Sequence, residues 1–219
     1  MDISGGGKTK IELDGQNRLD NSQAQANAGL RKQGEGTLII TDETDDNGNK
    51  ITAPKSGTSG SLTAKGATSN GSAGIGGKIG ESTKNITIEG YATVDATGGS
   101  QGAGIGGGDF FVHPEKSVVV TINGGENGKI EIGKNSAITG KFGAISATEV
   151  NISNNVLLKM KQWASTNGQY ISVNGAEAAV GTRSNPTAGG LVNTIGNNTQ
   201  LWYTDFNGVL QKIVHSKNL

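Results

Sequence analysis

The chain has 219 residues, of which 32% are hydrophobic and 4% aromatic, with 37 glycines, no cysteine, and 19 basic against 19 acidic side chains for a formal net charge of zero. Such a composition excludes disulfides and thiolate metal sites and supplies too little apolar volume for a thick globular core. It also argues against a nucleic-acid partner, because no stretch gathers Lys and Arg among aromatics, and against membrane insertion, because no apolar run approaches the length of a span.

The length allows one domain, or a domain with a small appendage. Gly, Asn, Thr and Ser are abundant and no segment sustains a 3.6-residue period, so long helices are not expected and the chain reads as all β. Residues 1–5 carry no signal-peptide pattern, while strand-like alternation is already under way over residues 10–15; the chain is therefore expected to be part of a larger one. Residues 21–27, rich in Gln, Ala and Asn, read as a corner.

From there the sequence repeats. Ala73-Gly74-Ile75-Gly76-Gly77 returns as Ala103-Gly104-Ile105-Gly106-Gly107-Gly108, with Ile75 and Ile105 thirty residues apart. Weaker echoes stand at Ala28-Gly29-Leu30 and Gly143-Ala144-Ile145, giving one apolar series: Leu30, Ile75, Ile105, Ile145. A short alternating segment follows each copy, at residues 37–41, 85–89, 118–122 and 149–153. A third strand comes later, at 61–64, at 92–96, and in the third copy at either 128–132 or 137–139. Three strands per repeat, each with one apolar and one polar face, describe a coil that buries its inner side by stacking on its neighbours. The longer intervals between copies are then corner insertions, chiefly residues 45–59 in the first and 110–115 and 124–128 in the third.

The glycines invite a competing interpretation as a phosphate-cradling loop. No helical pattern follows them, no Lys-Ser or Lys-Thr stands at the required offset, and the motif recurs where a cofactor site needs it once. Glycine at a tight corner beneath an identical corner is the better account.

Two groups of residues are candidates for binding. The polar insertion holds Asp42, Asp45, Asp46 and Asn47, oxygen donors that suit a calcium ion, although neither the spacing nor the distal Glu of an EF-hand is present; a solvated hairpin tip is the plainer reading. In the second copy, Asn85 and Asp95 are candidates for polar side-chain ladders. Composition changes at Lys161, beyond which five of the nine aromatics lie, so we expect a division into residues 1–160 and a C-terminal cap or β-hairpin appendage at 161–219. Strands are expected at 169–173 and 200–204, the latter turning at 205–208 into 209–214. Trp163, Trp202 and Tyr203 are candidate platforms for stacking a sugar ring, although for each the interior of a cap is the plainer reading.

The glycine motif with its following strands, over roughly residues 10–160, resembles right-handed parallel β-helix segments of exported bacterial surface proteins of the carbohydrate-binding and adhesin type. That resemblance implies a β-helix of about four coils with a β-rich C-terminal cap, an extracellular or cell-surface location, and a polysaccharide or cell-surface glycan as partner. The same scaffold also carries polysaccharide lyases, glycoside hydrolases and passive spacers. Of these, enzymes need clustered carboxylates or a positioned base, whereas here Asp14, Asp20, Glu89, Asp95, Asp109 and Glu131 are scattered, Arg is limited to 18, 31 and 183, and no nucleophile motif stands beside His113 or His215. The expectation is a non-catalytic module without a cofactor, unless calcium is bound in the insertion.

Overall fold

The computed structural model of the chain describes residues 1–44, 47–50, 60–69, 71–81, 83, 85–99 and 102–108, and thereafter the strand segments 119–123, 130–132, 138–140, 145–147, 149–152, 156–162, 171–173, 176–178, 200–204 and 209–212. All regular structure among these residues is β-strand. Three short strands, β1 (Asp2–Ile3), β2 (Lys8–Glu12) and β3 (Gln16–Asp20), each begin a separate sheet. The next three, β4 (Leu30–Lys32), β5 (Thr37–Asp42) and β6 (Ser61–Lys65), lie parallel beside them in the same order. So do β7 (Ile75–Gly76), β8 (Ile86–Gly90) and β9 (Thr93–Thr97). This threading is compatible with a β-solenoid.

The first sheet continues through β10 (Ile105–Gly106), β14 (Ile145–Ala147) and β17 (Ile171–Val173), and the second through β11 (Val119–Asn123) and β15 (Glu149–Ile152). The apolar series is a single register, with Leu30 beside Ile75, Ile75 beside Ile105, Ile105 beside Ile145, and Ile145 beside Ile171. Leu30, Ile75, Ile105 and Ile145 are all fully buried. Parallel columns run through the second sheet as Leu38–Ile86 and Ile40–Ile88 and through the third as Leu62–Val94 and Ala64–Ala96, also buried. With a side-chain period of two, the alternate positions, Lys10, Ser61 and Thr63 among them, face outward.

The third sheet shows how the repeat absorbs extra chain. Both alternatives for the third strand of the third copy are strands: β12 (Ile130–Ile132) places Glu131 beside Thr93, and β13 (Ile138–Gly140) places Thr139 beside Thr97. Six positions separate Ile132 from Ile138 where two separate their partners Leu158 and Met160, so the ladder takes up extra chain. The first insertion does the same at a corner. Four positions separate Glu12 from Gln16 and Glu89 from Thr93, but twenty separate Thr41 from Ser61, and the register on either side is kept.

Composition changes at Lys161, but the pairing does not. β16 (Val156–Gln162) pairs in parallel with β19 (Gln200–Thr204), placing Leu158 beside Leu201. The first and third sheets then finish on an antiparallel strand: β18 (Ala176–Ala178) on β17, and β20 (Leu210–Lys212) on β19. The β19–β20 pair fits the hairpin expected around residues 205–208.

Candidate functional site

The glycine corners are built from backbone. Gly76 has φ 135° and Gly106 φ 128°, values natural only to glycine, and a Cβ on Gly76 would stand 1.9 Å from the carbonyl oxygen of Gly106. The N–H groups that a phosphate would need are spent on the neighbouring rung: those of Gly74, Ile75 and Gly77 donate to the carbonyls of Ala103, Gly104 and Gly106. The motif therefore stacks chain on chain and offers no anion cradle.

The polar insertion is tied down by two carboxylates at its root. Asp42, 1% exposed, accepts the Gly60 N–H at 2.7 Å, joining the last residue of β5 to the residue that precedes β6. Glu12 accepts the N–H of Glu43 at 2.6 Å and both the N–H and hydroxyl of Thr44, at 2.7 and 3.0 Å. Lys10 Nζ lies 2.6 Å from Glu43 and 3.7 Å from Glu12. Burial works to raise the Glu12 pKa, but the two N–H donors, the hydroxyl and Lys10 hold it below the ordinary carboxylate value. The hydrogen bond from Lys10 to Glu43 raises the lysine pKa against some desolvation. Thr44 and Lys50 form an antiparallel bridge, Gly48 has φ 77°, and Asn47 is exposed, as in a hairpin tip. Of the proposed calcium ligands, Asp42 thus serves the root of the insertion and Asn47 sits at its tip, while Asp45 and Asp46 lie outside the described residues.

A second ionic cluster braces the first sheet. Arg31 donates from Nη2 and Nε to the two oxygens of Glu81, at 2.5 and 2.9 Å, and from Nη1 to Asp2 at 3.2 Å. Gln33 and Lys78 approach the same Glu81 carboxylate. Partial burial opposes the charge on Arg31, but Glu81 and Asp2 outweigh it and raise its pKa. Next to it, Lys32 is 1% exposed and donates to the carbonyls of Gln33 at 2.9 Å and Gly34 at 3.0 Å, with its pKa lowered by desolvation. Arg18 pairs with Asp20, whose pKa falls to about 2, chiefly through the hydroxyl and N–H of Ser22. None of these groupings joins a free acid to a base. Among the described residues, no three Asp, Glu or His side chains gather in a way that could hold a metal. Asp109, His113, Arg183 and His215 lie outside the described residues.

Asn85 is a bracket between rungs. With φ 51° it stands just before β8, and its side-chain amide donates to the Glu35 carbonyl at 3.2 Å. Asp95 lies on the outward side of β9 and is 7% exposed.

Of the aromatic candidates, Trp163 is outside the described residues, and Tyr203 takes the register position beside Met160. Trp202 lies beside Lys159, half-buried, on the outward side of β19. Its indole N–H points at Gln200 Oε1, 3.4 Å away, and Lys212 Nζ lies 5.8 Å from the ring centroid. The two lysines around Trp202 carry no sequence signal of their own, because their neighbourhood exists only once β16, β19 and β20 pair. No protein-family model, curated protein or solved structure matches this chain.

Proposed function

We propose that the chain is a non-catalytic module of an exported bacterial surface protein that binds a polysaccharide or cell-surface glycan, built as a right-handed parallel β-helix of about four coils over residues 1–160 with residues 161–219 as a β-rich cap. The observation that carries this reading is the pairing of a dry interior with regular polar columns outside. One register column runs Asp20, Lys65, Thr97, Thr139, Lys161, Thr204 across six neighbouring strands, with Asp20 exposed and Lys65 and Thr97 half-buried on its outward side. Hydrogen-bonding positions recurring about every 4.8 Å along a rigid rod suit an extended polymer better than a compact ligand. The backbone donors of the glycine corners are spent within the stack, so recognition falls to outward side chains.

A glycan array combined with incubation on acidic polysaccharides tests the proposal. Retention without new reducing ends or unsaturated products is the expected result. Turnover would place the chain among polysaccharide-cleaving enzymes, and silence in both assays would make it a passive spacer. Calcium enters only through the insertion: a calorimetric titration that gives heat in the natural chain and none in the Asp45→Ala, Asp46→Ala variant would establish a site there.

A further inference from the structure

The three strands that end the third sheet gather lysines around one indole. Several outward cations elsewhere are matched: Lys10 meets Glu43 and Glu12, Arg18 meets Asp20, and Arg31 meets Glu81 and Asp2. The sequences of β16, β19 and β20 are VLLKMKQ, QLWYT and LQK, with three lysines and no Asp or Glu. Register brings their charges together. Lys159, Trp202 and Lys212 occupy one row across the strands, and Lys161, Thr204 and Leu210 share a second register position.

Burial shows which way this face points. Leu158 and Met160, on the other side of β16, are fully buried, whereas Lys159 and Trp202 are half-buried and Lys212 and Leu210 exposed. At about 4.8 Å per strand, the row spans roughly 10 Å from lysine to lysine, near the length of a disaccharide. An indole offers a pyranose ring a flat apolar surface against which its C–H groups pack. The Lys212 ammonium, 5.8 Å from the ring centroid, stands where an acidic substituent on that sugar would meet it.

We infer that the outward face of β16, β19 and β20 binds an acidic polysaccharide, with Trp202 as the stacking platform and Lys159 and Lys212 as cations for the carboxylate or sulfate groups on either side. This inference rests on the carbohydrate-binding reading above and narrows it to one ligand class and one face. Charge complementarity selects the ligand, since a neutral glycan would leave the lysines unused.

The test uses the full chain with Trp163→Phe, so that Trp202 is its one tryptophan and the fluorescence reporter. Polygalacturonate, dextran sulfate and neutral dextran are the probes. Polygalacturonate or dextran sulfate is expected to bind with a change in Trp202 emission, more weakly as salt rises. Lys159→Gln and Lys212→Gln should each weaken binding about tenfold, and Trp202→Ala, which removes the reporter and is read by calorimetry, should weaken it further, with melting temperatures of the lysine variants unchanged. Acidic-polymer binding that ignores all three substitutions overturns the inference while leaving carbohydrate binding intact. So does retention of glycans that are only neutral. Failure to bind any glycan, here or on the array, removes the broader reading as well. A dimer in sedimentation velocity that Trp202→Ala dissociates would assign the face to a second copy of the chain and also overturn the proposal.

Discussion

The first and third sheets are threaded by the same chain in the same order, yet they are specified in opposite ways. In the first, β7 and β10 are two residues long and glycine lies directly on glycine, so close that one added Cβ meets a carbonyl oxygen at 1.9 Å. In the third, β3, β6 and β9 run five residues each, with inward and outward positions alternating. At these glycines the first sheet is defined by the absence of side chains, next to its column of Leu and Ile, and the third by side-chain alternation. The first therefore accepts almost no change, whereas the outward half of the third is available for recognition.

The sharpest way to break this contrast is to charge the shared interior. Ile105→Asp places a carboxylate at a fully buried position between Ile75 and Ile145, and a loss above about 4 kcal/mol is expected in urea denaturation followed by circular dichroism. Gly76→Ala comes next, at roughly 3 kcal/mol, because backbone strain adds to the collision with Gly106. Gly15→Ala is its control: φ is 61° but nothing lies within 4 Å of the added Cβ, so about 1 kcal/mol is expected. Equal losses at the two glycines would show that the corner is not close-packed.

Smaller effects probe the root of the insertion. Asp42→Ala leaves the buried Gly60 N–H without its acceptor and should cost about 1–3 kcal/mol, with faster hydrogen exchange at that amide. Glu12 has a pKa below its ordinary value in the folded chain, so its stabilisation is complete above the unfolded pKa and is lost as pH falls through the folded one. Glu12→Gln should accordingly flatten the acid side of a stability-against-pH curve. Lys10 has the opposite sign: its raised pKa gives stabilisation that is complete below 10.5 and lost as pH rises through the folded value. The smallest effect is expected on the outward side of the third sheet, where Thr63→Val should change stability by no more than about 0.5 kcal/mol.

The fold was legible wherever one residue type did one job in every copy. Leu30, Ile75, Ile105 and Ile145 announce their column because a corner between rungs admits the same residue each time. The ionic cluster was hidden, since Arg31 and Glu81 are 50 residues apart and no local pattern links them. Asp42 resembled its acidic neighbours Asp45 and Asp46, and only its place at the end of β5, against Gly60, separates it from them. Trp202 was equally at home in an interior or on a surface until the offset between β16 and β19 fixed its side. Lys159 and Lys212 were ordinary lysines in sequence, made neighbours of one indole by a parallel pair followed by an antiparallel one.

The corner between β5 and β6 has a consequence for how such a chain diversifies. It spans twenty positions where the corners directly on either side of it span four, yet those rungs meet it in unbroken register. Lengthening the excursion from about thirty residues to 45 adds only about 0.4 kcal/mol of loop-closure entropy, far less than one buried isoleucine contributes. New sequence at this corner is therefore nearly invisible to its neighbours. With Glu12 and Asp42 as fixed anchors, the exposed tip at residues 47–50 is a natural port for a grafted epitope or peptide, and inherited variation in length should accumulate there first.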